Sequence, residues 1–233
     1  TLINDYPPVA ACATKLDPAQ GDAVSLGGGE AGDGTKLVLG PGTGFGAAAL
    51  VRVEDRLAIV ATEAGHIEFG PAADDEMRLW PHLERVHGRI TVETVLSGPG
   101  LFRLAGAVAA MKGLEMPFSL PNDILVSARA GDPLANDILT LFSRFLGRVA
   151  GDLALIFEAK DGVFIAGGIA PRMLDVLQSG AFREAFDRKA PHDDWARRVP
   201  VFVVTHPEPA LLGLSSLVTH PERFVVRSMS WRA

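Results

Sequence analysis

The sequence predicts an α/β fold in which a mixed sheet is covered by helices. Three observations carry that expectation. Strands come first, through residue 60, the period then turns helical across residues 74–149, and the chain closes on strand, helix, strand, helix. The bulk composition agrees: 233 residues, 48% hydrophobic and 21% charged, suffice for one large domain or two lobes with a proper core.

Taken in order, residues 1–3 are a short β-type run ending in Asn4 and Asp5, and residues 7–16 read as a mildly apolar helix after their prolines. Residues 17–35 contain GGGEAGDG and read as a surface loop. A strand over 36–39 leads into GPGTGFG at 40–46, and the β-type runs 47–53 and 56–60 flank Glu54-Asp55 as a hairpin. A loop over 62–71 precedes a helix with a polar start over 74–87. Residues 91–96 lead into Ser97-Gly98-Pro99-Gly100 and a helical run, 101–111. The longest helical pattern is 133–157, where Ile138, Leu141, Phe142, Phe145, Val149 and Leu153 fall mostly three or four apart and make one buried face. A short buried strand over 162–166 ends in Gly167-Gly168, and Pro171 starts a helix. The strand 201–204 and the helix 210–218 complete the core; no role is assigned to residues 221–233.

Several function classes drop out early. The formal net charge is -6 with no basic patch, so nucleic acid is not expected as a partner. No apolar run approaches the ~20 residues that span a bilayer, and no signal peptide is visible. Cys12 is the single cysteine, which excludes an internal disulfide and a cysteine zinc cluster. These features together point to the cytoplasm. The chain starts at Thr1, within what reads as a strand, so a piece of a longer protein is expected.

Chemistry is suggested at four places. Gly40, Gly42, Gly44 and Gly46 alternate around Thr43. Glycines let backbone N–H groups approach a ligand closely, and a run of such groups cradles an anion. The Gly-Lys-Ser/Thr ending of a Walker A loop is missing, and the Gly-x-Gly-x-x-Gly spacing of a dinucleotide site does not fit. A phosphate cradle and a bare glycine hairpin both remain compatible with the loop alone. Asp5 directly follows a strand, where a carboxylate can take a proton from a substrate hydroxyl or simply shape a turn. Glu63, Gly65, His66 and Glu68 share one loop, and carboxylate with imidazole suits a ring of sugar hydroxyls; no second histidine lies at a metal-ligand spacing. Glu93, in a Thr/Val/Leu stretch, reads by default as a solvent-facing helix residue. Gly167-Gly168, between strand and helix, permits either a flat ring or tight packing.

The order IND, GPGTGFG, EAGH, VETVLSGPG, VFIAGGIAPR resembles the bacterial glucokinase family, the cysteine-poor group of the actin-like, ribonuclease H-like sugar-kinase superfamily, from residue 2 to about 218. The resemblance implies an ATP- and Mg2+-dependent hexose kinase that phosphorylates D-glucose at its 6-hydroxyl, the first step of glycolysis, as a homodimer. It implies Asp5 as catalytic base; Asn4, Asp5, Glu63, His66 and Glu93 on the sugar; Gly42, Thr43 and Gly44 on ATP phosphates; and Gly167 and Gly168 at the adenosine. It also implies a division into the end of a small lobe and hinge over 1–35, a large lobe with both sites over 36–220, and a tail over 221–233. The Asp-x-Gly-Gly-Thr phosphate loop of the family's small lobe is not in this sequence, so low activity is expected of the chain as it stands. The family often carries a further glycine where this chain has Thr62-Glu63-Ala64-Gly65. Alternatives are a kinase for another hexose, a sugar-sensing transcriptional regulator, and an actin-like ATPase without a sugar.

Overall fold

A computed structural model describes residues 6–226. Asn4 and Asp5 lie outside the described residues. The described elements run α1 (Tyr6–Cys12), β1 (Ala23–Ser25), β2 (Lys36–Pro41), β3 (Phe45–Val53), β4 (Arg56–Thr62), α2 (Asp74–Leu79), α3 (Val92–Val95), α4 (Gly98–Met111), α5 (Pro121–Arg129), α6 (Pro133–Phe157), β5 (Val163–Ile165), α7 (Leu174–Gln178), α8 (Ala181–Asp187), α9 (Asp193–Arg198), β6 (Val201–Val204), α10 (Pro209–Thr219) and β7 (Phe224–Val226).

The strands form one seven-stranded mixed sheet in the order β1-β6-β5-β2-β3-β4-β7. At its centre β2, β5 and β6 are parallel, while β2, β3 and β4 form an antiparallel meander. Strands buried on both faces should lack polar alternation, and VFI and VFVV in β5 and β6 do. β2 faces both cores: Leu37 and Leu39 pack with the α4–α6 layer, and Val38 packs with α1 on the opposite face. α10 lies beside α1 there. The β3–β4 connection is the two-residue turn Glu54-Asp55, with Glu54 left-handed at φ 53. The 25-residue α6 presents Ile138, Phe142, Phe145, Val149 and Leu153 to the core, as its spacing predicts.

The expected α/β architecture is present, with departures; among them, three helices, α7, α8 and α9, stand between β5 and β6 where one was expected. Ala23–Ser25, within the stretch read as loop, is an edge strand antiparallel to β6; three residues are too few to show a period. Phe224–Val226, in the tail, pairs parallel with β4 and buries Phe224. The helix expected over 74–87 stops at Leu79 and gives way to a 3-10 turn, Trp80–His82, because Pro81 cannot donate to an α-helical ladder. Pro171 opens no α-helix directly; it sits in a 3-10 turn, Ala170–Met173, ahead of α7. Among the described residues no helix is long and apolar enough to cross a membrane.

Two glycines fix how the ends of β2 and β5 meet. A Cβ on Gly40 would lie 1.8 Å from the Ala166 carbonyl oxygen, and one on Gly167 would lie 2.4 Å from that of Pro41. Gly167 also has φ +90, a conformation side chains disfavour. Backbone therefore packs on backbone at this end of the sheet, and the next loops of both strands emerge side by side.

Candidate active site

That end of the sheet opens onto a cavity of about 320 Å³. Its lining includes Gly42, Thr43 and Gly44 from the β2–β3 turn, Glu63 and His66 from the loop after β4, Glu93 from α3, and Gly167 after β5. Residues distant in sequence thus meet in one space. Gly168 is exposed and is not among the lining residues.

The glycine run is a hairpin turn. Pro41 pairs with Phe45 and Gly40 with Gly46, which leaves Gly42-Thr43-Gly44 as the connection. The Gly42 N–H donates to the Gly44 carbonyl at 2.8 Å, closing the turn on itself. The Thr43 and Gly44 N–H groups have no partner among the described residues, and the Thr43 side chain is exposed. Two free amides and a hydroxyl at a glycine turn are the donor set an anion requires. The turn is held from behind: the Gly98 N–H, in the first turn of α4, donates to the Gly42 carbonyl at 2.8 Å, and the Phe45 N–H donates to Glu93 Oε2 at 2.8 Å.

Glu63 precedes and His66 ends a single 3-10 turn, Ala64–His66, packed under the hairpin. Gly65 is required there, since a Cβ would come within 2.5 Å of the Phe45 carbonyl oxygen. Thr62 fastens the start of the turn: its hydroxyl donates to the Ala47 carbonyl at 2.9 Å and accepts from the Ala64 N–H at 3.3 Å. Above this buried base the Glu63 and His66 side chains are 83% and 60% exposed, with 3.9 Å between carboxylate and imidazole. They are positioned by backbone and left open for hydrogen bonding. Glu68, in the same loop, turns elsewhere and pairs with Arg89 at 3.2 Å. Beyond it, Arg148 of α6 donates to the Gly70 carbonyl at 2.9 Å, pairs with the buried Glu76 at 2.6 Å, and stacks over Phe69 at 4.4 Å.

Glu93 does not face open solvent. It is half-buried, with its carboxylate turned onto the hairpin. Short α3 is set by Thr91, whose hydroxyl accepts from the Thr94 N–H at 3.2 Å, and Ser97 links α3 to α4 by donating to the Glu93 carbonyl at 2.8 Å and accepting from Gly100 N–H at 2.9 Å. Sequence reading singled out neither Ser97 nor Thr62 nor Arg148. For Ser97 the signal was there, as a Ser-Gly-Pro-Gly helix start.

A larger cavity of about 400 Å³ lies between α2, α6 and α8. Three of its four cations, Arg144, Arg148 and Lys189, are already paired with Asp75, Glu76 and Asp152, and size alone does not mark it as the reaction centre. The smaller one is where the exposed Thr43, Glu63 and His66 converge with the glycine turn.

The family model described as Glucokinase matches residues 1–221. The chain belongs to the glucokinase family. It is 42% identical over 236 residues to a glucokinase of Sinorhizobium fredii, covering 100% of this chain and 69% of that protein. It is 41% identical to one of Agrobacterium fabrum, with 100% and 69% covered. Among solved structures, a glucokinase from an Antarctic psychrotroph superposes with a TM-score of 0.86 at 36% identity, over 94% of this chain and 68% of that one.

Proposed function

We propose that the chain phosphorylates D-glucose at its 6-hydroxyl, with ATP as donor and glucose 6-phosphate as product. Membership of the glucokinase family makes it an ATP-dependent hexose kinase. The observation that carries the site assignment is the convergence on one cavity of the Glu63, His66, Glu93 set and a turn whose Thr43 and Gly44 amides have no partner among the described residues.

In this reading the Thr43 and Gly44 amides and the Thr43 hydroxyl take phosphate oxygens, and Gly42 leaves room for them to approach. Gly167 and Gly168 flank the adenosine. Glu63, His66 and Glu93 accept and donate to sugar hydroxyls, with Asn4 completing the set and Asp5 accepting the proton of the attacking 6-hydroxyl. Catalysis is then mostly positioning and charge stabilisation. Magnesium enters with the nucleotide: among the described residues no group of three His, Cys, Asp or Glu is placed to hold a metal, and Mg2+ commonly keeps water and phosphate oxygens for most of its shell. The same reading makes the enzyme a cytoplasmic homodimer.

Asp5→Asn tests the chemistry. General-base help is worth about 10²–10⁴ in rate, so in an enzyme that also carries the family's Asp-x-Gly-Gly-Thr loop, turnover in a coupled kinase assay should fall by at least that range while glucose binding by calorimetry persists. Near-normal turnover would refute the assignment.

A further inference from the structure

We propose that Glu93 is a positioning residue that couples the two half-sites: one of its carboxylate oxygens holds the phosphate hairpin and the other serves the sugar. The inference rests on the kinase reading and adds a connection that the assignment of Glu93 to glucose does not contain.

The geometry is specific. Glu93 Oε2 accepts the Phe45 N–H at 2.8 Å, on the C-terminal flank of the Gly42–Gly44 turn. Phe45 is buried and opens β3, so this bond sets where the strand begins and the turn ends. On the other flank the Gly42 carbonyl is held by the Gly98 N–H. Both anchors come from one short stretch, α3 and the start of α4, which Ser97 locks together. Glu93 Oε1 has no partner among the described residues, and the side chain lines the cavity. The contact on the hairpin is close: a Cβ on Gly44 would fall 2.5 Å from Oε2 and 3.7 Å from Oε1. Glycine at 44 is therefore what lets the carboxylate lie flat against the turn.

A carboxylate shared in this way makes each ligand sense the other. A sugar hydroxyl on Oε1 holds the side chain in place, which holds the Phe45 N–H and with it the amides offered to the phosphates. Phosphate bound at the turn in turn fixes the acceptor the sugar needs. The coupling is reciprocal in binding free energy.

The test uses calorimetric binding of glucose and of a non-hydrolysable ATP analogue, each measured alone, with melting curves as a check on folding. Glu93→Ala should weaken the nucleotide analogue about 10-fold in the absence of any sugar, because the Phe45 N–H loses a charged acceptor. Glu93→Gln, which keeps an acceptor for that N–H, should recover most of the nucleotide affinity while glucose stays weak. Gly44→Ala supplies an independent approach: its methyl displaces the end of a flexible side chain, so the fold survives and glucose affinity drops about 10-fold although residue 44 touches no sugar. Combining Glu93→Ala with Gly44→Ala should be non-additive for both ligands. Unchanged nucleotide affinity in Glu93→Ala, or unchanged glucose affinity in Gly44→Ala, would overturn the coupling and leave the kinase reading standing. A wild-type chain that binds neither ligand would overturn the kinase reading, and the coupling with it.

Discussion

Gly42 separates what the turn needs in order to fold from what it needs in order to work. Of the four alternating glycines, three are explained by contact: a Cβ would strike the Ala166 carbonyl oxygen at residue 40, Glu93 at residue 44, and the Tyr6 ring, at 2.1 Å, at residue 46. At Gly42 a Cβ would meet nothing within 4 Å, and its φ is not in the left-handed region. Gly42→Ala should therefore leave the fold intact, and should stabilise it by about 0.4–1 kcal/mol through the unfolded chain. The space is nonetheless part of the cavity, beside the Thr43 and Gly44 amides, which have no partner among the described residues. On the proposed assignment, a methyl there would keep phosphate oxygens from closing on those donors. Loss of one hydrogen bond to a charged group costs ~1.5–3 kcal/mol, which is roughly a 10- to 150-fold rise in KM for ATP. The assay is a coupled kinase titration of ATP at saturating glucose, with thermal melts of Gly42→Ala and Gly40→Ala in parallel. Gly40→Ala should melt far below wild type. A Gly42→Ala enzyme that is stable and has an unchanged KM for ATP would refute the phosphate role of the turn.

Two further outcomes follow from buried groups. Arg148→Ala leaves the Glu76 carboxylate buried with only Arg144, at 3.4 Å, as a charged partner; breaking such a pair costs ~3 kcal/mol, and the melting temperature should drop by roughly 6–12 °C, whereas an unchanged melt would show that the pair is redundant. Burial, with the Asp22 charge adding to it, pushes the Cys12 thiol up to about 12. At pH 8 the native chain should not react with a disulfide reagent, while the denatured chain reacts fully, since only the thiolate attacks; rapid labelling of the native chain would contradict that environment.

The sequence showed most where period or punctuation is strong. The 25-residue α6 and the β3–β4 hairpin were legible because each repeats a pattern long enough to count. β1 and β7 were not: each is three residues long, and each exists only because β6 and β4 offer an edge to pair with. The candidate site was legible as a set of motifs, and the structure brings Gly42, Thr43, Gly44, Glu63, His66, Glu93 and Gly167 to one cavity. What could not be read was the wiring. That Glu93 caps the Phe45 N–H, or that Arg148 reaches back to Gly70, depends on helices many residues away, and no local spacing encodes it. Glu93 is instructive here, because its helix is four residues long and surrounded by apolar neighbours, a setting that on local grounds sends a carboxylate to solvent.

The contact between Gly40 and Ala166, and between Gly167 and Pro41, makes the tips of two strands keys to each other. Neither glycine can be exchanged unless the opposing main chain retreats, so no single substitution can widen this seam. Side chains around the cavity can drift toward another sugar or another nucleotide without disturbing it. On the proposed assignment, change in ligand preference is channelled to the rim of the cavity, to positions such as 43, 63 and 66, while the floor beneath it is inherited as a block.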